Sequence, residues 1–329
     1  MCLTSGNTDS PVYAVYGTAM ASPYPFSFRL RKCTSAPELW FDVVSEPPLA
    51  SGWDAGVPRF DGRERSLGSD MVDAVFEADG CLIARFADLA DFFIWRERIV
   101  CHLHDGRYAF AVEIWLLGTV MSLWLERRGI TTMHAAAVEI DGRGAAFLAT
   151  NKGGKSTLAA AMLQHGARLL TDDVLPLEEV GGRIVGRSGY PQMRFWPEQA
   201  RALLGNDDGL ARVQPGSPKL RVPVGPPGFG AFYPEAVPVA ALYLPERSTR
   251  ETVVIESVPM AEALVSLVRH SFLAGVMEAL ELAPARFRTF ATLVRQAPVR
   301  KLRYPSGLDR LAEVCAAVRS DLEQLVDTP

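Results

Sequence analysis

The sequence predicts an α/β protein in two parts, a smaller, mostly β N-terminal domain over residues 1–108 and a larger α/β domain over residues 109–329. Three observations carry this. Short strand-like runs broken by Pro, Gly and Asp clusters fill the chain as far as Tyr108. From Thr131 the pattern changes to apolar runs alternating with helical segments, the alternation that builds a parallel sheet covered by helices. A Gly-Gly-Lys-Ser sequence sits where one of those apolar runs gives way to a helix.

In chain order, Tyr13–Tyr16, Leu39–Val44, Cys81–Phe86 and Phe92–Trp95 read as strands. Residues Ala111–Arg128 read as a helix apolar nearly all round, closed by Gly129 after two arginines that suit a helix C-terminus. Val138–Ile140 and Ala145–Leu148 flank Asp141-Gly142-Arg143-Gly144 and read as a hairpin, with Ile140 pairing Gly144. Lys155–His165 is a helix stopped by Gly166, and Arg168–Thr171 a buried strand ending in Asp172 and Asp173. Residues Pro215–Pro238, rich in Pro and Gly, read as a loop or flap. Strands at Val239–Leu244 and Thr252–Glu256 and helices around Met260–Phe272, Ala285–Gln296 and Leu308–Val326 complete the chain.

At 329 residues the chain can hold one large domain or two ordinary ones, and its 48% hydrophobic content is ample for a buried core. A net charge of -4 without long basic runs argues against a nucleic-acid partner. The five cysteines are scattered and form no CxxC pair, so neither a disulfide framework nor a zinc site is expected from them. Residues Met1–Pro11 lack a basic stretch followed by an apolar run, and the longest apolar run, Ile114–Leu125, falls short of a bilayer span. A cytoplasmic protein without a membrane partner is expected; a homo-oligomer is left open.

The chemistry centres on Ala149-Thr150-Asn151-Lys152-Gly153-Gly154-Lys155-Ser156. Between a buried strand and a helix, Gly153 and Gly154 would let backbone N–H groups approach phosphates at the positive end of the helix dipole. Lys155 would neutralise β- and γ-phosphates, and Ser156 would offer its hydroxyl to Mg²⁺, so Mg·ATP is expected on the loop from Asn151 through Lys152 to Thr157. The motif departs from GxxxxGK[ST] in having Ala149 where the first glycine stands. A glycine-rich turn that only caps a helix is the competing reading.

Asp172 and Asp173 close the next strand, which in a βαβ unit ends on the same sheet edge as the loop. One carboxylate can hold Mg²⁺ and the other can accept a proton from an attacking hydroxyl. Counting back along the hairpin places His134 opposite Thr150, where it could orient a phosphate, a carboxylate or an acceptor. Arg194, Lys219 and Arg221 are further cations near Pro- and Gly-rich turns, with Lys219 preferred.

Residues Met133–Val174, with MHAAAVEI, the GKST-type loop and HGARLLTDDV, resemble the catalytic domain of HPr kinase/phosphorylases. The resemblance implies an ATP- and Mg²⁺-dependent kinase acting on a serine of a protein or peptide, with Asp172 as general base, Asp173 on the metal side, His134 beside the phosphates, and Lys155 and Ser156 as nucleotide and Mg²⁺ ligands. A divergent group of HPr-kinase-like proteins is similar in the Tyr16-Gly17 start and the Tyr190–Pro197 stretch; its lasso-peptide kinases imply a precursor-peptide serine as acceptor. A small-metabolite kinase and a non-catalytic nucleotide sensor or peptide-binding module remain as other readings.

Overall fold

The computed structural model describes residues 10–62, 72–87, 89–150 and 153–325. The chain divides into two compact units, one running to Gly129 with Leu273–Ala283 added, the other made of Ile130–Phe272 and the segment from Pro284 onward. The boundary expected after residue 108 therefore falls at Gly129. The reason is the apolar helix, which belongs to the core of the first unit: Trp115 stacks on Phe86 with ring centroids 5.0 Å apart, and the Tyr16 hydroxyl donates to the Leu117 carbonyl at 2.6 Å.

The first unit is a nine-stranded sheet among the described residues, in the order Arg31–Lys32, Val12–Val15, Thr18–Ala21, Leu39–Val44, Arg98–Leu103, Ala90–Ile94, Cys81–Phe86, Ala74–Ala78, Phe60–Asp61. Its pairings are antiparallel except on the two sides of Leu39–Val44. The helix runs as α-helix over Ala109–Trp115, widens to a π turn over Leu116–Val120 and resumes over Met121–Arg127. Glu113, 3% exposed, accepts from the Ser27 N–H, the Ser27 hydroxyl and the Phe28 N–H at 2.7–2.8 Å. The full stretch Gly106–Arg127 is 22 residues, long and apolar enough to cross a membrane by length and composition, which corrects the expectation of too short a run; its most apolar window is 83% buried inside the protein.

The second unit has a mixed sheet rather than the parallel one expected. Asp141 and Gly142, both at positive φ (50° and 79°), turn Thr131–Ile140 back onto Arg143–Leu148 as a tight hairpin. The pairing is Ile140 with Arg143, one residue tighter than expected. Thr131–Ile140 thereby lies antiparallel between Arg143–Leu148 and Arg168–Thr171, which run parallel to each other on its two sides. Arg143–Leu148 then pairs in parallel with Val237–Ser248, and that strand with Val299–Pro305.

Side chains alternate across this sheet as a pleat requires. Ala136, Val138, Ala145 and Phe147 face one apolar layer shared with Leu158 and Met162 of the helix Lys155–Gln164 and with Val314 and Val318 of Leu311–Gln324. Ala135, Ala137, Ala146 and Leu148 face the other, shared with Leu267 of Met260–Arg269 and with Phe290 and Leu293 of Ala283–Gln296. Helices thus cover both faces. Within the expected flap, Leu220–Pro223 is a strand paired with Gln192–Phe195, and Leu220, Val222 and Val224 are buried, so this part packs as structure.

Candidate active site

The phosphate-binding candidate starts where Arg143–Leu148 ends. Asn151 and Lys152 lie outside the described residues. Gly153 and Gly154 have the freedom the loop demands. A Cβ on Gly153 would meet the Ala149 Cβ at 2.5 Å, and Gly154 sits at φ 91° in the left-handed region. Ala149 is accommodated because residue 153 has no side chain to oppose its methyl. The helix Lys155–Gln164 begins directly after Gly154, so its first N–H groups open toward a cleft of about 350 Å³ lined by Gly153–Thr157, His134, Asp173, Arg194, Trp196 and Lys219.

Lys155 is 7% exposed and folds back on the loop, its Nζ donating to the Ala149 carbonyl at 2.7 Å and to the Thr150 carbonyl at 3.3 Å. Burial pulls its pKa below the ordinary lysine value, opposed by the charges of Asp173 and Asp172. Ser156 donates its hydroxyl to Asp172 Oδ1 at 2.7 Å, and the Arg194 N–H donates to Asp172 Oδ2 at 3.2 Å. Thr157 Oγ1 accepts from Gln199 Nε2 at 2.7 Å, and Gln199 Oε1 in turn accepts from the Trp196 N–H at 2.9 Å, which ties the first turn of the helix to the wall of the cleft.

The two carboxylates differ. Asp172 is 7% exposed; burial pushes its pKa up, reinforced by the charge of Asp173 and opposed by the Ser156 hydroxyl. Asp173 is 32% exposed at its side chain, lines the cleft, and holds φ 84°, a left-handed conformation rare for a non-glycine residue. Burial would raise it too, but the His134 hydrogen bond and charge, with Arg194 and Lys219, hold it well below the usual carboxylate range. His134 Nδ1 lies 3.2 Å from Asp173 Oδ1, and Arg194 Nη1 lies 3.5 Å from Asp173 Oδ2. Ser156 thus bonds Asp172, while Asp173 lines the open cleft.

The structure brings together His134, Gly153, Gly154, Lys155, Ser156, Thr157, Asp172, Asp173, Arg194 and Lys219. Continuing the hairpin register one step past Ala135–Leu148 places His134 across from Ala149, one residue from the expected Thr150. Arg221 lies apart from the cleft lining, its Nε donating to the Arg212 carbonyl at 2.8 Å. Sequence reasoning missed Trp196, whose ring lies 5.5 Å from Lys219 Nζ, and Gln199. It also missed Arg247 and Tyr304, stacked at 5.0 Å beside the loop: a Cβ on Gly154 would lie 3.0 Å from the Tyr304 hydroxyl and 4.0 Å from Arg247 Nη2. The signal for that pair is their place toward the ends of Val237–Ser248, which runs parallel beside the loop strand, and of Val299–Pro305, its next parallel neighbour, where α/β sheets gather ligands.

The donor set fits Mg²⁺ and a nucleotide: a hydroxyl bonded to a carboxylate, a glycine-rich turn that excludes a Cβ, and a helix N-terminus in one cleft. No family model matches the chain. A segment of 73 residues, 22% of this chain, is 32% identical to HPr kinase/phosphorylase of Clostridium perfringens, and 58 residues, 18% of this chain, are 33% identical to HPr kinase/phosphorylase of Clostridium beijerinckii. These matches span 23% and 19% of the lengths of those relatives. Among solved structures, the Hpr(Ser) kinase/phosphatase from Coxiella burnetii aligns with a TM-score of 0.31 at 14% identity, over 60% of this chain and 93% of that one.

Proposed function

We propose that the protein is an ATP-dependent kinase that transfers the γ-phosphoryl group to a serine hydroxyl of a peptide or protein acceptor. The observation that carries this reading is the Ser156–Asp172 hydrogen bond beside a glycine-rich loop, with Asp173 and His134 facing the same cleft. The name of the Clostridium relatives, HPr kinase/phosphorylase, supports it over the matched segment.

In this reading the N–H groups of the loop and of the helix start bind the phosphates, and Lys155 leaves the Ala149 carbonyl to reach them. Ser156 and Asp172 would hold Mg²⁺, which when bound neutralises charge on the phosphate oxygens. Asp173, oriented by His134, takes the proton of the acceptor hydroxyl as its oxygen bonds to the γ-phosphorus and the bond to the β-phosphate oxygen breaks. Arg194 faces the charge that develops on the transferred group. The low pKa of Asp173 keeps it ionised, and the phosphates raise its basicity by offsetting Lys155, Arg194 and Lys219. The most specific acceptor, a serine of a lasso-peptide precursor, rests on the resemblance alone.

The test of the carboxylate roles is the acid limb of kcat/KM, which reports the free enzyme. With Asp173 as base, that carboxylate stays ionised down to below the ordinary aspartate value of about 3.9 and itself adds no loss of activity above that pH. A loss of activity above that value that persists in His134→Gln would favour Asp172, whose pKa is raised by burial, as the base.

A further inference from the structure

In the first unit, far along the chain from the loop and its carboxylates, we propose that Asp91, His102 and His104 form a binding site for a divalent transition-metal ion of the Zn²⁺ class, with a further coordination position left to solvent. The register of the sheet builds it. Asp91 and His102 are direct partners on the antiparallel strands Ala90–Ile94 and Arg98–Leu103. Side chains two residues apart share a face, so His104 joins them from just past the end of the second strand. Donor atoms of all three side chains lie within 4.8 Å of one another, and Asp91 Oδ2 is 3.0 Å from His104 Nε2. Ligand atoms around tetrahedral Zn²⁺ are separated by about 3.4 Å, given metal–ligand bonds of about 2.0–2.2 Å, so small side-chain rotations bring these donors into range.

The surroundings suit a cation. Asp91 is buried, and Arg85 holds both of its carboxylate oxygens, Nε donating to Oδ1 at 2.8 Å and Nη2 to Oδ2 at 3.3 Å, which fixes the carboxylate with Oδ2 beside the histidines. Ligating carboxylates are commonly oriented by such an outer hydrogen bond. Arg85 also bonds Asp54 at 3.1 Å, so two carboxylates face one guanidinium and the cluster with neutral imidazoles carries a net negative charge. Two imidazoles with one carboxylate select a first-row transition metal over Mg²⁺ or Ca²⁺, which prefer all-oxygen shells. His104 is exposed, which gives the ion a route in.

The test loads the untagged full chain, stripped with chelator, with Zn²⁺, removes excess by gel filtration and measures retained zinc by mass spectrometry. Wild type and Lys155→Ala are expected to keep about one zinc per chain, and His102→Gln and His104→Gln to lose it, with affinity in a chelator competition falling at least tenfold. Zinc is expected to raise the Tm of wild type and to leave those of the two histidine variants unmoved, which separates lost binding from lost folding. Failure of wild type to retain zinc, or unchanged retention and Tm response in both histidine variants, overturns the site. Neither result bears on the phosphate loop.

Discussion

Placing a methyl group on Gly153 probes the phosphate loop most sharply. The Cβ of Gly153→Ala would meet the Ala149 Cβ at 2.5 Å and the Thr150 carbonyl oxygen at 2.9 Å, against an optimal carbon–carbon separation of about 3.5–4.0 Å. Both neighbours are parts of the loop itself, so relief requires the loop to leave its cradle shape. Overpacking of this kind costs about 1–3 kcal/mol, which corresponds to a loss of nucleotide affinity of roughly 5- to 150-fold. The assay is calorimetric binding of a non-hydrolysable ATP analogue with Mg²⁺ to wild type, Gly153→Ala, Ala149→Gly and the double variant. Ala149→Gly removes the nearer clash, so the double variant is expected to recover much of the lost affinity, a coupling that a double-mutant cycle isolates. Wild-type affinity in Gly153→Ala, or no recovery in the double variant, would refute the account of why Ala149 is tolerated.

Other outcomes follow from the same structure. Ser156→Ala and Asp172→Asn are expected to raise the Mg²⁺ concentration needed for half-maximal turnover, whereas Asp173→Asn lowers kcat at saturating Mg²⁺; a Mg²⁺ titration of each variant separates the roles. Arg168→Ala removes a 2.6 Å ion pair from Glu139, which is 2% exposed at its side chain, and is expected to cost on the order of 1–3 kcal/mol at pH 7. Burial works to raise the Glu139 pKa, but Arg168 and the Gly142 N–H outweigh it and leave the group depressed, so this stabilisation is present above the unfolded value of about 4.3 and lost as pH falls through the folded pKa. Urea midpoints of wild type and variant should therefore converge progressively as the pH falls below the unfolded value of about 4.3. Glu113→Ala removes the acceptor of three hydrogen bonds in the first unit and is expected to lower its stability by on the order of 3 kcal/mol, read from the urea transition.

Much of the site was legible because its signals are local. Asp141-Gly142 marks its own turn, Gly153-Gly154 its own close approach, and the apolar runs before and after set the strand directions that bring His134, Lys155 and Asp173 together. What escaped notice depends on distant partners. Val174–Val180 and Arg183–Gly186 form a hairpin across Gly181-Gly182, yet Pro176 and the Glu178-Glu179 pair hide the strand pattern. Val299–Pro305 carries Arg300, Lys301 and Arg303, whose charges are met by partners such as Glu246, Glu256 and Asp321 that only the fold supplies. The helix Ala274–Ala279 is bounded by Leu273 and Glu281 at positive φ without a glycine, and it joins the first unit from the far half of the chain. Trp196 reads as core from its aromatic neighbours, and only the pairing of Gln192–Phe195 with Leu220–Pro223 carries that segment to the cleft.

The central claim, phosphoryl transfer to a serine hydroxyl, is tested most directly by incubating wild type, Lys155→Ala and Asp173→Asn with Mg·ATP labelled in the γ-phosphate and a panel of serine-ended peptides, following peptide mass and ADP together. The account predicts labelled phosphopeptide and matching ADP with wild type and loss of both in each variant. Nucleotide binding without ADP or phosphopeptide, or label appearing on a small metabolite while every peptide stays unmodified, would contradict it.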